Sequence, residues 1–545
     1  MRTRRRLEAR RLETSYWPAD ESEPVLDTTI AGVLRDAAAA APDRPAIVAG
    51  VPDPAQRTRR TYAEAVAEAE AVARVLASRC SPGDRVAVLA PSIPESYLLT
   101  FAAAMARLVL IPVNPALRAA EIEHILGTAG AAVAFCVPEH RGNDLAGHLA
   151  GLGPQLPALR EVIDFAEWPA LVEAGRADDR PLPPPDPDDV AQLVFTSGTT
   201  GAPKGAMLTH RGLTNRSRFS GTRFGIGPGD VYVSTIPLHH VGGQALVLMV
   251  VQARATNVLV TQFDAGLQLE LIESERATHT VGVPTMFQDV IDHPTFGDRD
   301  VSTLRALSTG GSMVPVEIVR HLERSLGVQT TIIFGQTETC GYISQTFPDD
   351  DAEDKSTTVG PPLPQLEARV VDPNGGGIVP VGEVGELQVR GVGVTAGYFD
   401  DPEQTAAALE PDGWLHTGDL VTMDDRGYLR VTGRVKEMIV TGGVNVYPAE
   451  IEAALGAHPA VAQVAVIGVP HERWGEAVVA VVRPVAGAAA GSSPDPSDLE
   501  AFARERLAPH KIPKKWVFVD ELPVNASGKV QKYLLQETVS LEEAQ

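Results

Sequence analysis

The sequence predicts an α/β protein built on parallel β-sheets, and two observations support this prediction. Short apolar runs that end in turns, within residues 83–91, 109–115 and 131–137, alternate with helical stretches at residues 94–106 and 119–128. Such alternation is typical of a parallel sheet that helices cover on both faces. The chain is also 545 residues long, which is too much for one simple core, so two or more domains are expected.

Composition and charge exclude several classes of protein. Lys plus Arg number 47 against 70 Asp plus Glu, a net charge of −23, which argues against a nucleic-acid partner. The cysteines (Cys80, Cys136 and Cys340) are too sparse for a disulfide framework or a metal cluster, and they indicate reduced thiols in a cytoplasmic protein. The arginine-rich first residues have no apolar segment after them, so we expect a solvated tail, with no secretory signal and no membrane span.

The most informative stretch follows the apolar strand predicted at residues 190–195. This strand leads into hydroxyl residues, glycines and a cation: Thr196, Ser197, Gly198, Thr199, Thr200, Gly201 and Lys204. Glycines let a ligand approach the backbone closely, hydroxyls donate hydrogen bonds and the lysine adds a positive charge, so the stretch suits a polyphosphate. The spacing is not that of a Walker loop. The alternative interpretation is a surface turn.

A second apolar strand, predicted at residues 332–334, also ends in polar residues. It leads into Gly335, Gln336, Thr337 and Glu338. A carboxylate beside a phosphate site is repulsive unless a cation lies between them, and Mg²⁺ prefers carboxylate and phosphate oxygens. Glu338 is therefore a candidate metal ligand, with a surface carboxylate as the alternative.

Two further polar positions follow strands or turns. Asp419 comes after a turn within residues 413–420, where a carboxylate can accept hydrogen bonds from both hydroxyls of a ribose, and Arg434 can add another. The alternative for Asp419 is a capping residue. The histidine pair His239 and His240 has no carboxylate or cysteine at ligand spacing beside it, so we predict no metal site there.

The pattern changes to shorter elements towards the end of the chain. A strand at residues 438–441 and a glycine turn precede a helix that Pro448 opens. The other elements predicted here are two strands and a helix, at residues 461–469, 477–485 and 498–507. A Gly/Ser turn at residues 523–532 then carries Lys529, for which a solvated turn lysine is the alternative reading.

These stretches resemble the motifs of a known family. T-S-G-T-T-G-A-P-K-G at residues 196–205 resembles the phosphate-loop signature of the adenylate-forming superfamily, which includes acyl-CoA synthetases, carrier-protein-loading adenylation domains and firefly luciferase. F-G-Q-T-E at residues 334–338 resembles the family's Y-G-x-T-E, with Phe334 in place of the commoner tyrosine. Six such motifs occur in the family's order across residues 62–534, and this joint match is far more specific than any single motif.

The resemblance implies a chain with two unequal parts. A large N-terminal adenylation domain, residues 1–433, would contain several α/β subdomains with mostly parallel sheets and begin with a partly disordered tail at residues 1–27. A small, mobile α+β lid domain would occupy residues 437–545. The hinge would lie at residues 434–436, where Lys436 takes the position at which the family usually has Asp or Lys.

The resemblance also implies roles for individual residues. The catalytic residues would be Lys529, Glu338, Thr337 and Lys204, with Glu338 also the metal ligand. The residues that bind ATP and AMP would be Thr196, Ser197, Gly198, Thr199, Thr200, Gly201, Lys204, Gly311, Ser312, Phe334, Gly335, Gln336, Thr337, Asp419, Arg434 and Lys529. The acyl pocket would be lined by His240, Val241, Met286, Gly310, Gly311 and Met313. The tunnel for coenzyme A would be lined by Gly442 and Gly443.

The implied reaction has two steps. ATP activates a carboxylic acid to acyl-AMP with release of pyrophosphate, with Mg²⁺ as the cofactor, and the acyl group then passes to coenzyme A. A ligase that loads a separate acyl carrier protein is the first alternative, and a non-catalytic nucleotide-binding relative is the second. Because the pocket candidates are mostly apolar or small, the expected substrate is a mainly apolar acyl or aryl acid.

Overall fold

A computed structural model of the chain describes residues 11–196, 203–310, 314–373, 375–441, 444–471, 473–485, 495–524 and 530–543. Its α-helices are Ile30–Ala40, Tyr62–Arg79, Pro94–Met105, Ala119–Ala129, Leu145–Leu152, Trp168–Arg176, His210–Phe224, Val241–Gln252, Ala265–Ser274, Pro284–Ile291, Val316–Leu326, Ala352–Thr357, Pro402–Ala408, Pro448–Gly456, Pro496–Arg504 and Lys532–Glu543. Within these ranges, none of the helices combines the length and the apolar character needed to cross a membrane.

The first β-sheet contains the strands that were predicted from the start of the chain. In spatial order they are Lys204–Thr209, Val190–Thr196, Val109–Val113, Arg85–Leu89, Ala131–Cys136 and Glu161–Asp164. All neighbouring pairs are parallel except the edge pair formed by Lys204–Thr209 and Val190–Thr196. Val109–Val113 and Ala131–Cys136 are buried along their whole length, as strands covered on both faces are. The prediction of a parallel sheet is confirmed.

A second parallel sheet packs against the first through shared helices. Its strands, in spatial order, are Ser344–Gln345, Gln329–Phe334, Ala306–Gly310, His279–Val281, Val231–Ser234, Thr256–Val260, Pro45–Gly50 and Arg59–Thr61, with antiparallel pairing at the two edges. One buried core contains Ile47 and Leu259 of this sheet, Val86 and Val88 of the first, and the helix Pro94–Met105. The two sheets therefore form one body.

A third, antiparallel sheet completes the N-terminal region. Its strands, in spatial order, are Tyr16–Trp17, Leu366–Val371, Gly385–Gly391, Leu415–Met423 and Leu429–Arg434. The first strand belongs to the predicted N-terminal tail, and its Trp17 is fully buried. Gly427, with φ of 86°, makes room for this ring, because a Cβ there would lie 2.1 Å from it. The described part of the tail, from residue 11 onwards, is thus packed against the third sheet.

The fourth sheet lies in the C-terminal region and has its own core. Its strands, in spatial order, are Val444–Val446, Ile439–Thr441, Gly475–Pro484 and Val461–His471, and Lys515–Phe518 runs parallel to Gly475–Pro484. Ile451 and Leu499 pack on one face with Val478, while Leu535 packs on the other face with Val479. The predicted fold class, a large N-terminal α/β region followed by a smaller C-terminal domain, is confirmed.

Candidate active site

Two antiparallel strands bring together the ends of the predicted phosphate segment. Thr196, at the end of the first strand, lies opposite Lys204, at the start of the second. His124 contacts the chain near the end of the segment, where its Nε2 lies 2.9 Å from the carbonyl oxygen of Pro203. The central residues of the segment lie outside the described residues: Ser197, Gly198, Thr199, Thr200 and Gly201.

The predicted carboxylate site follows the strand Gln329–Phe334. Gly335 approaches the next turn so closely that a Cβ would lie 2.4 Å from the carbonyl oxygen of Gly341, which explains why glycine is needed here. The chain then forms a single 3₁₀ turn, Thr337–Thr339. This turn carries Glu338, which is half-buried, and it contacts the strand Lys204–Thr209.

Glu338 and Lys204 contact the same side chain, that of Tyr398. The Tyr398 hydroxyl donates a hydrogen bond to Oε1 of Glu338 at 2.8 Å. The Lys204 Nζ lies 5.4 Å from the centroid of the tyrosine ring and donates a hydrogen bond to the side-chain oxygen of Gln404. Burial, and then the charge of Glu338, raise the pKa of Tyr398, so the hydroxyl keeps its proton and acts as a donor.

The backbone around Tyr398 joins these two predicted motifs. Met207 N–H donates to the Gly397 carbonyl at 2.9 Å, and Phe399 N–H donates to the Gly205 carbonyl at 2.8 Å. Thr395 N–H donates to the backbone carbonyl of Glu338 at 2.7 Å. Segments far apart in sequence therefore converge on one point, and sequence reasoning missed the segment around Tyr398 because it has no periodic pattern.

The ribose candidates Asp419 and Arg434 are direct neighbours on the third sheet. They occupy opposite positions of adjacent antiparallel strands, and Arg434 Nε lies 3.0 Å from Asp419 Oδ1. Only 5% of the Asp419 side chain is exposed against 38% for Arg434, so a buried carboxylate is paired with a more exposed arginine. Phe334, the candidate adenine contact, packs against the core of this same sheet.

Two of the acyl-pocket candidates, His240 and Val241, lie at the start of the helix Val241–Gln252. His240 caps this helix, because its Nδ1 accepts a hydrogen bond from Gly242 N–H at 3.3 Å, and its side chain is exposed. Val241 is buried, and a Cβ on Gly341 would lie 3.8 Å from it, so this candidate lies beside the turn that follows Glu338.

The other pocket candidates lie on the second sheet and the helix beside it. Met286 is half-buried on the helix Pro284–Ile291. Gly310 ends its strand where a Cβ would lie 2.3 Å from the Ile333 carbonyl oxygen. The remaining candidates here lie outside the described residues: Gly311, Ser312 and Met313.

A buried pair of glutamines, which sequence reasoning missed, connects the phosphate strand to the histidine loop. Gln192 Nε2 donates to Gln244 Oε1 at 3.0 Å, and Gln244 Nε2 donates to the Leu238 carbonyl at 2.7 Å. Next to them, His239 and Ser96 line a cavity of about 10 Å³. Burial lowers the pKa of His239 to about 4, so this imidazole is neutral near pH 7.

Two buried arginines of the helix His210–Phe224 fix the chain that follows Glu338. Arg216 is fully buried and donates hydrogen bonds to the carbonyls of Tyr342, Ile343 and Pro364. Arg223 donates in the same way to the carbonyls of Gln345, Pro361 and Pro362. Burial lowers the pKa of Arg216 to about 9 and that of Arg223 to about 10, which is still high enough for both to be charged near neutral pH.

In the C-terminal region the structure describes the neighbours of the predicted site residues. Gly442, Gly443 and Lys529 lie outside the described residues. Lys436 lies in a single 3₁₀ turn, Val435–Glu437, that separates Arg434 from the fourth sheet. Lys532, at the start of the last helix, binds Glu437 at 3.0 Å and Glu452 at 2.7 Å.

Comparison with known proteins gives consistent matches over most of the chain. The family model described as AMP-binding enzyme matches residues 34–399, and that described as AMP-binding enzyme C-terminal domain matches residues 450–529. The putative acyl-CoA synthetase YngI of Bacillus subtilis is 35% identical over 94% of this chain and 97% of its own length. Feruloyl-CoA synthase of an Amycolatopsis species is 39% identical over 87% of this chain and 93% of its own. The crystal structure of ATP-bound MatB from Rhodopseudomonas palustris is 32% identical, with a TM-score of 0.84 over 94% of this chain and 99% of that one.

Proposed function

The chain belongs to the AMP-binding enzyme family, and from this we propose that it is an ATP-dependent acid–CoA ligase that forms AMP. The enzyme activates a carboxylic acid to acyl-AMP and then transfers the acyl group to coenzyme A. The observation that carries the proposal most directly is that Lys204 and Glu338, from two separate family motifs, meet at the side chain of Tyr398. A non-catalytic relative is disfavoured, because the chain retains the charged residues of every motif.

In the first step, a carboxylate oxygen attacks the α-phosphorus of ATP, a new P–O bond forms, and pyrophosphate leaves with the electrons of the broken bond. Substrate and triphosphate are both anionic, so positive charge has to lie between and around them. We assign Lys204 and the segment from Thr196 to Gly201 to the phosphates. Asp419 would accept hydrogen bonds from the ribose hydroxyls, while Arg434 orients Asp419. Lys529 would contact both the carboxylate and the α-phosphate.

Glu338 fits the role of a Mg²⁺ ligand. It is a carboxylate, as Mg²⁺ prefers, and it already accepts a hydrogen bond at Oε1, which leaves Oε2 as the atom that we assign to the metal. Bound together with the nucleotide, the ion would neutralise charge on the phosphate oxygens. Thr337, next in the chain, is our candidate for the contact with the α-phosphate region.

In the second step, the thiol of coenzyme A attacks the acyl carbon, a thioester forms and AMP leaves. We propose that the lid, residues 437–545, rotates about residues 434–436 between the two steps. The rotation would remove Lys529 from the path by which the thiol approaches the acyl carbon. The bonds from Lys532 to Glu437 and Glu452 support this proposal, because they tie the start of the lid to the helix that follows Lys529. Gly442 and Gly443 would then line the path of the pantetheine arm.

The reaction is tested by a pyrophosphate-release assay across a panel of fatty, aryl and polycyclic acids. Buried Val241, half-buried Met286 and the side-chain-free Gly310 favour an apolar or aryl acid, and a relative is a feruloyl-CoA synthase, so aryl acids head the panel. We expect release that depends on the acid and, with coenzyme A present, one thioester for each AMP. A parent enzyme that makes acyl-AMP but never acyl-CoA would indicate a carrier-protein ligase instead.

The hinge proposal predicts a selective effect of Lys436→Pro. Proline fixes φ and removes a backbone N–H, so it should oppose rotation at residues 434–436. The variant is expected to form acyl-AMP at close to the parent rate and to lose thioester formation, as measured by the two half-reactions separately. Lys436→Ala, which leaves φ free, is the matched control and should retain both. Equal loss of both steps in the proline variant would contradict a hinge at this position.

A further inference from the structure

The side chain of Tyr398 stands between the two charged residues that the proposed reaction assigns to the nucleotide. Its hydroxyl donates to Glu338 Oε1 at 2.8 Å, and Lys204 Nζ lies 5.4 Å from the centre of its ring. The ammonium group of Lys204 also meets the neutral side-chain oxygen of Gln404. One tyrosine side chain thus contacts the Glu338 carboxylate through its hydroxyl and the Lys204 ammonium group through its ring.

We propose that Tyr398 is a positioning residue that keeps Glu338 and Lys204 apart and directs each towards its own part of the metal–nucleotide complex. The inference rests on the proposed function, which gives the carboxylate to the metal and the ammonium to the phosphates. A lysine and a glutamate that contact the same side chain would otherwise attract one another, and a direct ion pair would neutralise both charges.

The hydroxyl acts on the carboxylate. A hydrogen bond from a neutral donor fixes the orientation of a metal-binding carboxylate without removing its charge, and the loss of such an outer contact typically costs about 10- to 100-fold in metal affinity. Oε1 accepts the hydrogen bond from the hydroxyl, so this bond would restrain the orientation of Glu338 and leave Oε2 for the metal.

The ring and Gln404 act on the lysine. The electron-rich face of a tyrosine attracts an ammonium group, and a neutral amide oxygen accepts one of its protons. Neither contact cancels the positive charge, so Lys204 stays ordered while its charge remains available to phosphate oxygens.

The backbone holds Tyr398 rigidly enough for this role. Tyr398 N–H donates to Thr405 Oγ1 at 2.9 Å, and the residue forms a β-bridge with Ala206 on the strand that begins with Lys204. Gly397 precedes it with φ of 120°, and a Cβ at Gly397 would lie 2.7 Å from Thr405. The backbone of the tyrosine is therefore fixed to the strand that carries Lys204.

The test uses the full-length enzyme and measures binding of Mn²⁺·ATP without acid, by isothermal titration calorimetry, so that no turnover is needed. Tyr398→Phe keeps the ring and removes the hydroxyl, and we expect it to weaken Mn²⁺·ATP binding about 10-fold. Tyr16→Phe is the matched control, because its hydroxyl also donates to a glutamate, Glu367, at 2.6 Å on the edge of the third sheet. The control should bind like the parent.

A double-mutant cycle shows whether Tyr398 acts through Glu338. Glu338→Gln should also weaken Mn²⁺·ATP binding and raise the Mg²⁺ requirement of adenylation, and the double variant with Tyr398→Phe should be no worse than Glu338→Gln alone. The KM for the acid should stay unchanged in Tyr398→Phe while the KM for ATP rises.

The outcomes separate the inference from the proposed function. Parent-like Mn²⁺·ATP binding in Tyr398→Phe, or effects that add fully to those of Glu338→Gln, would overturn the positioning role. If the parent activated no acid in the panel, the proposed function would fail, yet a loss of Mn²⁺·ATP affinity confined to Tyr398→Phe and Glu338→Gln would still support the positioning role.

Discussion

Replacing Lys529 with alanine is expected to slow acid-dependent pyrophosphate release by about 10²–10³-fold or more, which is the usual cost of losing one electrostatic contact to a transition state. The lysine is assigned to the first step, in which a carboxylate approaches the α-phosphate and both are negatively charged. Supplied with preformed acyl-AMP and coenzyme A, the same variant should form thioester at close to the parent rate, because no phosphate bond is made in that step.

Two lysines of the same domain provide controls for Lys529→Ala. Lys511 makes an ion pair with Glu450 at 2.6 Å, and Lys511→Ala should leave both half-reactions near the parent rate. Lys532 holds Glu437 and Glu452, so Lys532→Ala should loosen the lid and slow both half-reactions. A Lys529→Ala enzyme that remained folded but failed both half-reactions would contradict its assignment to adenylation alone.

The second large effect concerns stability. Arg216→Met is expected to lower the free energy of unfolding by about 3 kcal/mol or more, because buried carbonyls lose a charged donor and regain no partner. These carbonyls belong to Tyr342, Ile343 and Pro364. Arg216 itself is fully buried, with 0% of its area accessible to solvent. Urea unfolding followed by circular dichroism measures the change.

Arg211→Met is the matched control, on the same helix with the same substitution. Arg211 pairs with Asp27 and Asp188, whose side chains are 80% and 71% exposed, and surface ion pairs of this kind typically contribute about 0–1 kcal/mol. An unfolding midpoint for Arg216→Met equal to that of Arg211→Met would contradict the structural role of the buried arginine. A folded Arg216→Met enzyme should also show a raised KM for ATP, because the carbonyls that Arg216 binds belong to the chain that follows Glu338.

Several features of the molecule were predictable because they depend on short stretches of chain. Strands such as Val109–Val113 and Ala131–Cys136 are short apolar runs bounded by turns, and that pattern identifies buried parallel strands. Parallel sheets bind ligands at the carboxyl ends of their strands, so Thr196 and Gly335, each at the end of such a strand in its own sheet, were predictable as candidate site residues. The family followed from motifs of the same kind, each read within about ten residues.

Other features depend on contacts between residues that are distant in sequence. The tail before residue 28 offered no pattern, yet its Trp17 is buried because Gly427 leaves space for the ring. Arg216 looks like one more charged residue of a polar helix, and its burial depends on carbonyls supplied by chain more than a hundred residues later.

The sequence by itself determined the fold class, the family and the order of the motifs, because local apolar patterns and short polar signatures carry that information. Only the tertiary structure decided how the charges of those motifs are held. Asp419 pairs with Arg434 across two adjacent strands, and Glu338 and Lys204 both contact the side chain of Tyr398. The physical reason is that a charged side chain is oriented by the groups that the fold packs beside it, and these groups come from other strands and loops of the chain.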